Sequence, residues 1–174
     1  MLISAVPPIM VRSPANPEGV PMEVFDGLRA GLARNRGQLY REFAAVFYGA
    51  NRPGANVSQP LLDQLWRLCM QTGLKHSYEC VKAFSETDFT EDLKNFDVPT
   101  LVLHGEDDQV VPVDITGRRT AELVPGAQAI FYPAAPHGVT DTHLDQVNAD
   151  LLTFLRRSPA KQGRREPMAA VAAR

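Results

Sequence analysis

Cysteine is scarce. Only Cys69 and Cys80 occur in 174 residues, on separate helical stretches, and their spacing fits no metal or redox motif. Both are expected to be buried thiols in a reducing compartment, which places the chain in the cytoplasm. No apolar run approaches the roughly 20 residues that a membrane span requires. The opening Met1-Leu-Ile-Ser-Ala-Val-Pro-Pro is apolar but lacks a basic leader and is soon ended by prolines, so it does not read as a secretory signal. It reads instead as a buried strand. Net charge is only −2, and it is unevenly spread. From Arg156 onward six Lys/Arg stand against the single acid Glu166, a net of +5 that leaves −7 on the rest of the chain. An acidic body argues against a nucleic-acid surface. The basic end, with Pro, Gly and a closing Met-Ala-Ala-Val-Ala-Ala run, is expected to be a disordered tail over 157–174.

What remains is the composition of a globular protein, 44% hydrophobic and 22% charged, long enough for one domain with a real core. Three zones follow one another. Residues 1–6 are a strand stub, followed by a Pro/Gly/Asn-rich loop over 7–21. Up to Phe96 the chain then has helical periodicity. Residues 22–35 put Phe25, Leu28 and Leu32 on one face, and 39–48 carry Tyr40, Phe43 and Phe47. A loop from Gly49 to Val57 interrupts the pattern. Ser58 is an N-cap candidate with Pro60 in the first turn, ahead of a stripe of Leu61, Leu62, Leu65, Trp66, Cys69 and Met70 that Gly73 stops. A helix over 76–85 and a short one opened by Thr90-Glu-Asp complete the zone.

The third zone changes period. Residues 97–105 form a continuous apolar, β-branched run closed by Gly105, the pattern of a strand buried on both faces. A helix over 113–124, a strand over 127–132 and a helix over 142–156 follow, the last expected to bury Leu144, Val147, Leu151, Leu152 and Leu155. Strand, helix, strand, helix in this order is a βαβα unit of a parallel sheet.

In open parallel sheets, reactive groups collect at the carboxyl ends of strands. Two loops fall there, His104-Gly-Glu-Asp-Asp-Gln-Val-Val-Pro and Pro133-Ala-Ala-Pro-His-Gly. They bring Asp108 and His137, 29 residues apart in sequence, to neighbouring strand ends. A histidine able to take a proton from a nucleophile, with a carboxylate to fix its tautomer, is what hydrolytic catalysis needs. Glu106 and Asp107 are weaker candidates for the acid. His104 reads as structural, and His76 and His143 as exposed helical residues. No histidine pair has metal-ligand spacing with a supporting cysteine or carboxylate. Trp66, Met70 and the phenylalanines of the helical zone read as core, and some of them as the lining of an acyl pocket.

The run from Pro99 to Pro112 and the run Ala135-Pro-His-Gly, together with Asn51-Arg-Pro-Gly-Ala and Phe84-Ser-Glu-Thr-Asp-Phe-Thr, resemble the C-terminal part of an α/β-hydrolase. More narrowly, they resemble the non-haem chloroperoxidase and arylesterase group, over about residues 2–155. The resemblance implies an α/β fold with a partial hydrolase sheet of about three parallel strands. It further implies a helical cap over 7–96 and a C-terminal core over 97–156. It puts the triad acid on Asp108 and the base on His137. The expected substrate is a small carboxylic ester or a carboxylic acid, with peracid formation and halide oxidation as a side activity. Neither metal nor haem is implied.

The nucleophile of that family stands in Gly-x-Ser-x-Gly, ahead of the acid and the base. The serines here are Ser4, Ser13, Ser58, Ser77, Ser85 and Ser158, and none has glycine at the second position on either side. The oxyanion-hole loop is lacking too, and donors of that kind contribute about 2.7–4 kcal/mol each. The resemblance therefore implies a chain that starts at the sixth strand: a truncated product, a mis-placed start or a fragment, inactive as written. The other reading is a non-catalytic accessory piece that associates with a partner, or with a second copy, through its open sheet edge. A redox or peroxide-binding module is disfavoured by the sparse cysteines.

Overall fold

A computed structural model describes residues 1–157; the expected tail lies outside them from residue 158, and Arg157 is the last residue of a helix. The elements in order are β1 (Leu2–Ile3), α1 (Met22–Phe47), α2 (Gln59–Gln71), α3 (Leu74–Glu86) and α4 (Thr90–Lys94). They continue with β2 (Leu101–Gly105), α5 (Gly117–Leu123), β3 (Gln128–Tyr132), α6 (Val139–Thr142) and α7 (Leu144–Arg157). The three strands make one parallel sheet in the order β1-β2-β3. All five residues of β2 are buried because it is the middle strand, with neighbours on both sides. Its register pairs Ile3 with Leu103 on one side, and Leu101 with Gln128 through Gly105 with Tyr132 on the other. The partial parallel sheet expected from the sequence is therefore present, with helices in each connection.

Two hydrophobic clusters hold the molecule together. Leu101, Leu103 and Tyr132 of the sheet pack with Ala135, Val139, Val147 and Phe154, so α6 and α7 cover one face. The second cluster joins Met10, Phe25, Leu32 and Val81 to Val111, which ties the helical layer to the loop after β2. Burial of this kind contributes about 1.5–3 kcal/mol for each fully enclosed aliphatic or aromatic side chain.

Several local expectations are corrected. The two helical stretches expected over 22–35 and 39–48 are present as the two halves of α1, separated at Asn35, which has non-helical φ −161° and ψ 84°. The Asn35 side-chain carbonyl accepts the Gln38 N–H at 3.0 Å, so this residue starts the second half as an N-cap would. Ser58 does occupy the N-cap position of α2, but its hydroxyl makes no capping bond. Gly73 lies one residue past the C-cap of α2 and serves as the N-cap of α3. Helix α5 begins only at Gly117, and the final helix, expected from residue 142, begins at Leu144 as α7, behind the short α6.

Helix α7 departs furthest from the expected burial. Val147 and Phe154 are buried, whereas Leu144, Leu152 and Leu155 are 54%, 50% and 59% exposed. The apolar arc of α7 is wider than the surface the three strands offer, so the sheet takes one side of it only. The thiols are not buried either: Cys69 is half-buried and Cys80 is exposed. No residue of α2 is fully buried, so the Trp66 and Met70 stripe is a half-covered face rather than a core.

Candidate active site

The site is built where the loops after β2 and β3 touch. At Gly105, a Cβ would lie 2.3 Å from the Ala135 carbonyl oxygen and 2.6 Å from that of Pro136, so only glycine allows the two loops to meet. Backbone bonds then lock them together. Glu106 N–H donates to Tyr132 O at 2.9 Å and Asp107 N–H to Ala135 O at 3.0 Å. This contact puts the side chains of residues 108 and 137 side by side.

Asp108 has a fully buried side chain, and each of its oxygens has two partners. Oδ1 accepts the backbone N–H groups of Val110 at 2.9 Å and Val111 at 2.7 Å, a turn in which the side chain caps its own loop. Oδ2 lies 2.8 Å from His137 Nδ1 and 3.1 Å from His104 Nε2. Burial by itself pushes this carboxyl up. The hydrogen bonds of His104 and His137, attraction to His137 and the Val111 N–H outweigh it and bring the carboxyl down to about 2. At neutral pH the group is a carboxylate held from four directions.

His137 is 17% exposed at its side chain, with Nδ1 turned inward to Asp108. The far nitrogen, Nε2, has no hydrogen-bond partner among the described residues. The ring stands edge-on to Phe47 at 4.7 Å between centroids, and Gly138 N–H donates to Phe47 O at 2.8 Å. The end of α1 thus forms the wall beside the imidazole. Gly49, just beyond the helix at φ +69°, takes the left-handed conformation that ends α1 and turns the chain against Pro136. Tyr48 is buried against this wall, and burial together with the Asp141 carboxylate raises its phenol to about 12.

The loop after Gly49 reaches back over the acid loop. Asn51 and Gln109 exchange side-chain amide bonds at 3.0 and 3.1 Å, and the Arg52 guanidinium forks onto Asp107, its Nε at 2.7 Å. Asp107 is therefore occupied by Arg52, and Glu106 by Arg118 at 2.5 Å; no bond joins either acid to His137. Of the three candidate acids, the structure brings only Asp108 to the histidine.

His104, expected to be structural, is fully buried, and its Nε2 contacts the carboxylate of Asp108 directly. The signal was the four-residue spacing from His104 to Asp108 across a sharp turn. His76 is exposed, whereas His143 is half-buried at the end of α6, 2.9 Å from Thr142 Oγ1 and against the Tyr132 ring. Among the described residues no group of three or more His, Cys, Asp or Glu could hold a metal. Among them, too, no serine bonds His137: Ser77 and Ser85, for example, donate to helix carbonyls. Clefts of about 300 and 420 Å³ lie on the helical layer beside Asn35 and Lys82, lined by neither Asp108 nor His137.

No family model matches the chain. Individual relatives do. The chain is 53% identical over 157 residues to a bifunctional esterase/perhydrolase of Acinetobacter calcoaceticus, with 90% of this chain and 57% of the relative aligned. It is 49% identical over 156 residues to a non-haem haloperoxidase of Rhodococcus erythropolis, covering 89% and 57%. It is 52% identical to a non-haem chloroperoxidase of Streptomyces lividans, covering 90% and 57%. The chain thus spans somewhat over half the length of the curated relatives it matches. Among solved structures, a bromoperoxidase from Bacillus anthracis superposes with TM-score 0.85 at 32% identity over 88% of this chain and 56% of that one. An esterase from Exiguobacterium antarcticum superposes at 0.81 with 19% identity over 89% and 56%, a likeness of fold alone. By sequence the chain is a homologue of the C-terminal part of the non-haem haloperoxidases and esterases, and its fold is that of the α/β-hydrolases.

Proposed function

We propose that this chain carries the acid and the base of a serine hydrolase for small carboxylic esters, with Asp108 and His137 in those roles. The observation that supports the reading is the 2.8 Å contact between Asp108 Oδ2 and His137 Nδ1, which leaves Nε2 as the working nitrogen. In the proposed reaction Nε2 takes the proton of a serine hydroxyl as its oxygen attacks the ester carbonyl. Asp108 stays ionised and stabilises the imidazolium. The imidazolium then returns the proton to the departing alcohol. Water, activated by the same nitrogen, attacks the acyl-serine and releases the carboxylic acid; hydrogen peroxide in its place gives the peracid. The relatives named esterase/perhydrolase and haloperoxidase support both branches, with halide oxidised afterwards by the free peracid.

The serine belongs to a Gly-x-Ser-x-Gly segment outside these 174 residues, so the chain alone is expected to be inactive. The division into strand stub, cap over 7–96 and core over 97–156, and a cytoplasmic setting, belong to the same proposal. The second reading, an accessory chain that docks through its sheet edge, is favoured by the two-residue edge strand β1 and by the exposed leucines of α7.

Turnover of p-nitrophenyl acetate and labelling by a fluorophosphonate test both readings. The purified chain should show neither. Mixed or co-expressed with the remaining segment of the Acinetobacter relative, it should gain turnover that His137→Ala lowers by at least about 10³-fold. Labelling of the isolated chain, or turnover indifferent to His137, would overturn the first reading. A stable complex without turnover would favour the second.

A further inference from the structure

The His104 side chain is completely buried between β2 and the acid loop, and its two nitrogens have opposite surroundings. Nε2 lies 2.9 Å from the Val111 carbonyl oxygen and 3.1 Å from Asp108 Oδ2. Both neighbours are acceptors, so Nε2 must carry the proton; a bare nitrogen would set three electron-rich atoms against one another. Nδ1, by contrast, has no partner and is sealed from water. It faces the backbone of Gly117, where a Cβ would come within 2.5 Å of it. A proton on Nδ1 would be a buried donor with no acceptor, a loss of about 1–3 kcal/mol. Protein and geometry together select the tautomer with the proton on Nε2.

We propose that His104 is a positioning residue for the Asp108–His137 pair. Its single Nε2 proton, shared between Asp108 Oδ2 and the Val111 carbonyl, fixes the carboxylate oxygen that His137 uses. The inference rests on the reading of Asp108 and His137 as acid and base, and adds a third member to it. The backbone N–H groups of Val110 and Val111 occupy Oδ1, and without His104 only His137 would hold Oδ2. With His104 in place the carboxylate plane cannot rock, and Oδ2 meets Nδ1 along one direction. The shared proton also draws charge from Oδ2, so Asp108 is a weaker base and leaves the proton on the imidazolium. His104 touches no reacting atom; it acts through Asp108. Gly117 is part of the device, because it makes room for the ring.

The test uses the full chain and needs no turnover. Long-range 1H–15N correlation of the wild-type protein at pH 7.5 should show His104 protonated at Nε2 and bare at Nδ1. Carbon-detected titration of the Asp108 carboxyl should give a midpoint that rises by about one pH unit in His104→Leu. It should return toward the wild-type value in His104→Gln, whose amide N–H reaches the place of Nε2. A merely structural histidine would lower the unfolding midpoint in both variants and leave the carboxyl titration alone. An Nδ1–H tautomer overturns the proposal, as does an Asp108 midpoint equal in wild type and His104→Leu. Should His104→Leu fail to fold, the wild-type tautomer and the His104→Gln titration decide the matter. Absence of the His137 Nδ1–H···carboxylate signal in wild type would instead sink the acid–base reading itself, a separate and distinguishable result.

Discussion

Replacing Asp108 by Asn tests whether the four-donor arrangement exists in solution. The folded carboxyl lies at about 2 against an ordinary 3.8, so the native state binds its proton less readily than the unfolded chain does. At about 1.36 kcal/mol for each pH unit, the difference corresponds to about 2–3 kcal/mol of folding stability. The sign follows from the lowered value. The contribution is complete above the unfolded value near 3.8 and is lost as pH falls through about 2. No solvent screening reduces it, since the side chain is 0% exposed. Asn at 108 retains one oxygen for the Val110 and Val111 N–H groups but turns an amide donor toward two ring nitrogens. The expected penalty at pH 7 is about 2–4 kcal/mol. Urea unfolding followed by Trp66 fluorescence and far-ultraviolet circular dichroism at pH 7, 4, 3 and 2 gives both quantities. The gap between wild type and variant should be widest at pH 7 and narrow by about 2–3 kcal/mol by pH 2. Asp63 and Asp88, whose carboxyls are also held low, titrate in both proteins and cancel in the difference. A gap that stays constant with pH would refute the reasoning, because the Asp108 carboxylate would then not be held as described.

Other outcomes follow from the same geometry. Gly105→Ala drives a Cβ to 2.3 Å from the Ala135 oxygen, so a loss of several kcal/mol is expected in chemical denaturation, together with loss of the His137–Asp108 proton signal. Phe154→Ala should cost about 3–5 kcal/mol, and Leu155→Ala, on the 59% exposed side of the same helix, within about 0.5 kcal/mol. Equal losses would show that α7 is turned otherwise. Arg52→Ala removes an exposed pair and should change stability by no more than about 1 kcal/mol, with the effect fading in high salt.

The parts of this molecule that the sequence made legible are those governed by neighbours along the chain. The β-branched run closed by Gly105 reads as a strand buried on both faces, as β2 is, and the start of α4 was readable from its threonine and first-turn acids. Asp108 and His137 stood out because strand ends collect reactive groups and because their flanking motifs are specific. What escaped depends on the third dimension. Periodicity locates an apolar face on α7 but does not measure how much surface waits to cover it, so Leu144, Leu152 and Leu155 were wrongly placed inside. His104 was rightly read as buried, yet its bond to Asp108 requires the turn at 106–107 to fold the acid back over the strand end. The Asn51–Gln109 and Arg52–Asp107 contacts bridge more than fifty residues, a separation at which no local pattern speaks.

The Asp108–His137 pair needs very little of the molecule. Every bond to the Asp108 carboxylate comes from residues 104, 110, 111 and 137, and the wall beside His137 comes from the end of α1. The loops that carry the two groups are joined backbone to backbone at Gly105, and the strands behind them are neighbours. A nucleophile has no part in any of these contacts. The pair can therefore be fully formed before a serine meets it, with the imidazole tautomer already selected by its carboxylate. Under the function proposed above, such preorganisation means that association would have only to bring a hydroxyl to Nε2 and would not need to build the base.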